Sequence, residues 1–211
     1  NLASLSYGRY TAPERNNINT LLSSNRLNLS LKQINEYKLW NPKLEQTLSE
    51  ENKYRPYIVP QGLYWLVEGN LDFFRYDNGY KQDLLLIKTG PKLILGDFKN
   101  NFLDYTELSV YPRFKFNNGK SPFSFDQVVD TKVIELNIKQ QLYKALALKF
   151  STEVNLDGDL PENEKLINPT IDISLNRRAY EVSLFYNFDS EVGGLKFDIF
   201  SFNFEGLGKK F

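Results

Sequence analysis

Apolar and polar residues alternate one by one over long stretches of this chain, and that period of two constrains its fold more than any other feature. Leu27, Leu29 and Leu31 are interleaved with Asn28, Ser30 and Lys32. Ile134, Leu136 and Ile138 are interleaved with Glu135, Asn137 and Lys139, and Ile171, Ile173 and Leu175 with Asp172, Ser174 and Asn176. The runs Leu146, Leu148, Phe150, Thr152, Val154, Leu156 and Tyr180, Val182, Leu184, Tyr186 follow the same rule. Successive side chains of a strand point to opposite faces, so each run has one dry face and one wet face. Less regular patterns cover Ser4–Tyr10, Leu63–Phe74, Asp83–Leu95, Thr106–Phe116 and Gly194–Phe204. The pattern predicts about ten or eleven strands. It implies a single all-β unit over residues 1–211, built as an antiparallel up-and-down meander.

Some of these strands are long. Leu108, Val110, Phe114 and Phe116 oppose Glu107, Ser109, Arg113 and Lys115, and Ala145–Leu156 alternates along its length. Ordinary strands run about five or six residues, whereas a tilted membrane-spanning strand needs about 9–11. Length therefore favours the wall of an outer-membrane β-barrel. Tight turns are expected around Asn176-Arg177-Arg178, around Gln140-Gln141-Leu142-Tyr143 and at Gly193-Gly194. Long polar loops are expected over Thr11–Asn25, Asn35–Gln61, Asn117–Asp130 and Asp157–Pro169. Short turns at one rim and long loops at the other are the habit of outer-membrane barrels, although a β-sandwich with uneven loops carries the same pattern. Helix signals are confined to Asn41-Pro42 followed by Leu44 and Leu48, and to a short turn within Pro13–Asn25.

Composition removes whole classes of chemistry. With no His, the commonest general base and metal ligand is missing. With no Cys, thiol catalysis, disulfides and thiolate zinc sites are excluded. Lys plus Arg equals Asp plus Glu at 26 each, which lacks the basic excess of a nucleic-acid-binding protein. No apolar run approaches the roughly 20 residues of a spanning helix, but barrel strands carry only every second residue to lipid. There is no Met, and the chain begins at Asn1 within a strand pattern, as expected of a piece of a longer protein or a processed product.

Few polar features single themselves out. Asp157, Asp159, Glu162 and Glu164 share one loop but lack calcium-loop spacing, so they read as a solvated loop. Scattered Gly90, Gly96 and Gly119 make no phosphate loop, no motif selects a pair of catalytic carboxylates, and no cofactor or metal is expected. Arg177-Arg178 is either an anion contact at a barrel rim or a charged turn beside an interfacial Tyr180. Aromatics cluster near strand ends, among them Tyr37, Trp40, Tyr64, Trp65, Phe73, Phe74, Tyr76, Tyr111, Phe123, Phe125, Tyr143, Tyr180 and Tyr186. In a membrane barrel they would form girdles, and in a soluble protein core and lid. The stretch Leu195, Phe197, Phe200, Phe202 and Phe204, followed by Gly206 and Gly208, reads as a barrel-closing strand and its exit turn.

The C-terminal half resembles a known family. P-F-S-F-D-Q-V-V-D-T (Pro122–Thr131), I-K-Q-Q-L-Y (Ile138–Tyr143), V-N-L-D (Val154–Asp157), N-R-R-A-Y-E-V-S-L-F-Y-N (Asn176–Asn187) and F-N-F-E-G-L-G (Phe202–Gly208) occur in an order and spacing similar to the C-terminal region of cyanobacterial LptD/OstA-like outer-membrane proteins. G-D-F-K-N-N-F-L-D-Y-T (Gly96–Thr106) adds to the resemblance, which is strongest over residues 96–208. The resemblance implies a barrel in the bacterial outer membrane that inserts lipopolysaccharide or a related glycolipid into the outer leaflet without covalent chemistry. Its implied partners are the periplasmic lipopolysaccharide-transport bridge and the barrel-assembly machinery, with no nucleic acid. The chain departs from the family in having too few strands for the whole barrel, no visible periplasmic OstA-type domain, and none of the cysteines that join that domain to the barrel.

Two other readings fit the pattern: a general outer-membrane channel or assembly barrel, and a soluble β-sandwich or barrel that binds carbohydrate or lipid, with a glycosidase as its enzymatic form. The direction of the apolar faces separates them. A membrane barrel turns Leu27, Leu29, Leu31, Ile171, Ile173 and Leu175 outward; a soluble domain buries them.

Overall fold

A computed structural model describes residues 1–42, 61–96, 100–158, 165–177 and 180–199. Ten strands follow one another: β1 (Leu2–Glu14), β2 (Asn17–Trp40), β3 (Gly62–Tyr76), β4 (Lys81–Leu95), β5 (Thr106–Lys120), β6 (Lys132–Tyr143), β7 (Leu146–Asn155), β8 (Leu166–Asn176), β9 (Tyr180–Asn187) and β10 (Val192–Ile199). Each pairs antiparallel with its neighbours in chain order, giving one ten-stranded meander. Among the described residues β1 and β10 do not pair, so the sheet is open. The described residues hold no α-helix, only a 3-10 turn at Ser124–Asp126.

Register converts the sequence period into two continuous faces. On one, Leu63, Leu93, Leu108, Ile138, Phe150, Ile171 and Tyr186 lie directly opposite one another from β3 to β9. Leu31, Leu71, Leu85 and Phe116 form a second apolar row, and Leu148, Ile173, Leu184 and Leu195 a third. The other face carries Glu68, Lys88 and Arg113 in one row and Glu107, Lys139, Lys149 and Asp172 in another.

Several local expectations are corrected. Thr11–Asn25 is no loop and holds no helical turn; it is the tip of the β1–β2 hairpin, closed at Arg15-Asn16. Pro13 is tolerated there because β1 is an edge strand and the register shifts between Pro13 and Glu14. The turn after β6 is at Lys144-Ala145, not within Gln140–Tyr143, because Lys144 itself takes a left-handed φ of 49°. Gly193 and Gly194 lie inside β10, and the hairpin turn precedes them, with Glu191 at φ 54°. The two rims are not divided into short turns and long loops. The rim that carries the Arg15-Asn16 turn also carries the 121–131 connection, and the rim with the Lys144-Ala145 turn also carries 96–105. The short helix expected after Pro42 falls outside the described residues.

Candidate functional site: a concave polar face

The side chains of the polar face reach across the sheet. Lys139 on β6 and Glu181 on β9 are three strands apart, about 14 Å along the sheet at ordinary strand spacing. Their charged atoms nevertheless lie 3.2 Å apart. Lys88 on β4 meets Glu135 on β6 at 3.0 Å, and Arg113 on β5 grips Glu153 on β7 with Nη1–Oε1 2.9 Å and Nη2–Oε2 2.5 Å. The three-strand span from Lys139 to Glu181 exceeds the combined reach of the two side chains on a flat sheet and requires the polar face to be the inside of a curved one; the two-strand pairs fit that curvature. Like charges sit directly opposite on it, Glu135 across from Glu153 and Lys139 across from Lys149. Such pairs repel, and the strand-skipping partners compensate them.

The apolar face is therefore convex, and it is exposed. Leu27, Leu29 and Leu31 are 39%, 38% and 40% accessible, and Ile173 and Leu175 are 47% and 39%. Leu71, Ile87, Leu108, Phe114, Ile138 and Leu184 on the same face are exposed as well. Burial is found inside instead, and much of it is polar: Ser24, Gln82, Ser109, Gln141, Asn155, Ser174, Asn176 and Ser183 are all buried. Apolar side chains share that interior, among them Tyr64, Ile94, Tyr111 and Val133, while the Leu, Ile and Phe rows of the convex face stay exposed. A cavity of about 200 Å³ opens on the concave side, lined among others by Asn137, Lys139, Lys149, Asp172, Glu181 and Lys196.

Buried side-chain amides and half-exposed carboxylates fasten the connections at both rims. Gln141 is fully buried, and its Oε1 accepts from the Asp104 and Tyr105 amides at 2.9 and 3.2 Å. Its Nε2 donates to the Asn100 and Lys144 carbonyls at 2.9 and 2.7 Å. Gly96 lets the chain enter this loop: its φ is 72°, and a Cβ there would lie 1.5 Å from the Asp104 carbonyl oxygen. At the other rim Asp157 accepts from the Thr131 amide and, at 2.6 Å, from the Thr131 hydroxyl. Those hydrogen bonds, the hydroxyl's above all, hold the Asp157 carboxyl below the usual carboxylate range. Asn155 donates to Asp130 at 2.6 Å.

The residues singled out from sequence distribute unevenly over this frame. Arg177 follows β8 in a tight turn, its amide donating to the Tyr180 carbonyl at 2.8 Å, while Arg178 lies outside the described residues. Leu195 and Phe197 stand on the convex face, 69% and 56% exposed. Phe200, Phe202, Phe204, Gly206 and Gly208 lie outside the described residues, as do Asp159, Glu162 and Glu164. Among the described residues no group of three or more ligating side chains could hold a metal. The aromatics split: Tyr37, Trp65, Phe73, Tyr143, Tyr180 and Tyr186 face outward, whereas Tyr64, Phe74, Tyr76 and Tyr111 face inward. The charged ladder was legible in principle, since Glu68, Lys88, Arg113 and Glu135 all occupy the wet positions of their strands.

A family model described as "Protein of unknown function (DUF3769)" matches residues 4–203, and the chain belongs to that family. No curated protein and no solved structure matches it.

Proposed function

We propose that this chain is part of the wall of an outer-membrane β-barrel of the LptD-like kind, which inserts lipopolysaccharide or a related glycolipid into the outer leaflet. One observation carries the reading: the curved sheet turns its apolar rows outward and its charged ladder inward. Lipid is the solvent that suits a convex face of Leu, Ile and Phe, and water or a polar substrate suits the concave face. Every strand except β9 and β10 has ten or more residues, enough to cross a bilayer core when tilted. The order of motifs given above supports the narrower assignment.

The work on this reading is transport without covalent chemistry. Acyl chains stay with the apolar surroundings while sugars follow the polar concave face, and the periplasmic bridge delivers the glycolipid. Both sheet edges would carry unpaired N–H and C=O groups that hydrocarbon cannot satisfy. Other strands must therefore join β1 and β10 to close the ring, with the barrel-assembly machinery guiding insertion. A general channel is the second reading, favoured by the mixed signs of the inner ladder, which select neither cations nor anions.

The test uses the full-length protein. Urea-resistant recovery in the outer membrane, with a mobility difference between heated and unheated samples, is expected for a folded barrel. A photo-crosslinker at Asn137, on the concave face, is expected to capture glycolipid. A soluble protein with no heat-dependent shift would overturn the membrane reading. A folded barrel that captures no glycolipid would leave the general channel.

A further inference from the structure

The connection between β5 and β6 does not leave the sheet; it folds back across the mouth of the concave face. Phe123 makes a backbone bridge to Glu14 of β1, and the Arg15 amide donates to the Pro122 carbonyl at 2.8 Å. Its first half, Ser121–Asp126, contacts inward-facing residues of β1 to β4, while its far end is tied by Lys115 of β5 to the Val129 carbonyl at 3.0 Å and by Asn155 of β7 to Asp130 at 2.6 Å. The Phe123 ring is fully buried and meets Tyr10 of β1 and Tyr76 of β3 at 6.5 and 5.8 Å between centroids. Phe125 stacks on Phe123 at 5.2 Å. Asp126 is the hub. Its carboxylate accepts two hydrogen bonds from Arg26 Nη1 of β2 at 2.8 and 3.0 Å, one from the Tyr76 hydroxyl at 2.8 Å and one from the Ser121 hydroxyl at 3.0 Å. Its carbonyl accepts from Gln82 of β4 at 3.2 Å. Gly119 launches the segment: its φ is 86°, and a Cβ would lie 2.3 Å from the Lys81 carbonyl oxygen.

We propose that Ser121–Asp130 is a displaceable strap across the polar face, latched by Asp126 on Arg26, that narrows the path along the concave side until it is released. Three features separate a latch from ordinary packing. The strap's seat on the sheet centres on one ion pair, with side chains 14% and 12% accessible. The Arg26 guanidinium is held in place independently of Asp126, over the Tyr10 ring at 4.3 Å and near Phe74 at 5.2 Å, so it remains ready for a second anion when the carboxylate leaves. The seat is also imperfectly satisfied: Gln82, which donates to the Asp126 carbonyl, keeps its Oε1 buried without a hydrogen-bond partner, as do Arg15 Nη1 in the β1–β2 turn and Asn28 Oδ1 two residues beyond Arg26 on β2. Such orphans lower the cost of releasing the strap, because polar groups left unpaired gain hydrogen bonds once exposed.

The proposal rests on the membrane-barrel reading, and its test separates the two. The full-length protein is reconstituted in planar bilayers, and potassium chloride current is recorded. Asp126→Asn removes the charge from the latch. Hydrogen bonds to a charged group predict a shift of the seated-to-released ratio of roughly tenfold to a hundredfold, read as more frequent open events. These 211 residues hold no cysteine, so Glu14→Cys with Phe123→Cys places one engineered pair in them, and full-length protein carrying Glu14→Cys alone, oxidised and reduced in the same way, is the control. Bridge partners have Cα atoms about 4.5–5.5 Å apart, within disulfide range. The oxidised form is expected to hold the closed current and the reduced form of the same preparation to exceed it. Identical currents from oxidised and reduced protein, in barrels that still show the heat-dependent shift, would overturn the strap even if Asp126→Asn failed to fold. Absence of that shift in the unsubstituted protein would overturn the membrane reading, and the strap with it.

Discussion

Ile138 and Asn137 are neighbours in β6 that face opposite sides of a curved sheet, so the same charge placed at each tests which side meets lipid. Ile138 belongs to the longest outward row and is 42% accessible. Burying a whole Ile side chain contributes about 1.5–3 kcal/mol, so the exposed fraction corresponds to about 0.6–1.3 kcal/mol gained when lipid covers it. Ile138→Arg forgoes that gain and places a guanidinium against hydrocarbon, where the cost is about 2–4 kcal/mol. Every 1.4 kcal/mol is tenfold, so the two losses together should lower the folded-to-unfolded ratio by a factor of about 70 to 6000. Asn137→Arg puts the same side chain on the wet concave face, where lipid imposes no such cost. The assay is urea titration of the full-length protein in lipid vesicles, with the unheated gel band as the measure of folded barrel. If Ile138→Arg is neutral and Asn137→Arg is the damaging one, the convex face meets water and the reasoning fails.

Three further outcomes are expected. Gln141→Leu should destabilise by roughly 2 kcal/mol or more, because the Asp104 and Tyr105 amides and the Asn100 and Lys144 carbonyls lose their buried partner; protease cutting within residues 100–105 of the folded protein would report it. Lys139→Glu and Glu181→Lys should each destabilise, and the double swap should recover part of the loss, with a coupling energy of about 0.5–3 kcal/mol in a double-mutant cycle; a coupling of zero would remove the strand-skipping pair from the account of curvature. Asp157 has a depressed pKa in the folded protein, so its contact with Thr131 is fully present above the ordinary carboxylate range and is lost as pH falls through the lowered value. Hydrogen exchange at the Thr131 amide should therefore stay slow at pH 5, and Asp157→Ala should abolish that protection at every pH.

Much of the fold was legible because a strand's side-chain period is an integer. Alternation at Leu27–Leu31, Ile134–Ile138 and Ile171–Leu175 located strands and assigned faces without any tertiary information. It failed where local chemistry resembles a loop. Thr11–Asn25 is polar and contains Pro13, yet pairing across the hairpin holds it extended. Gly193-Gly194 looks like a turn, yet Gly194 serves to let the Phe185 ring lie against the backbone, where a Cβ would stand 2.9 Å from the ring. The strap escaped because P-F-S-F-D is informative only when Arg26, Tyr76 and Gln82, distant in sequence, are brought beneath it.

By itself the sequence determined the all-β meander, the membership of each face and the absence of His and Cys chemistry. A period of two is unchanged when a sheet is turned over, so it states which residues share a face but not whether that face is inside or outside. Only the tertiary structure decided that, through curvature: Lys139 reaching Glu181 across three strands requires the charged side to be concave. The apolar rows, whatever their sequence, are then left on the outside.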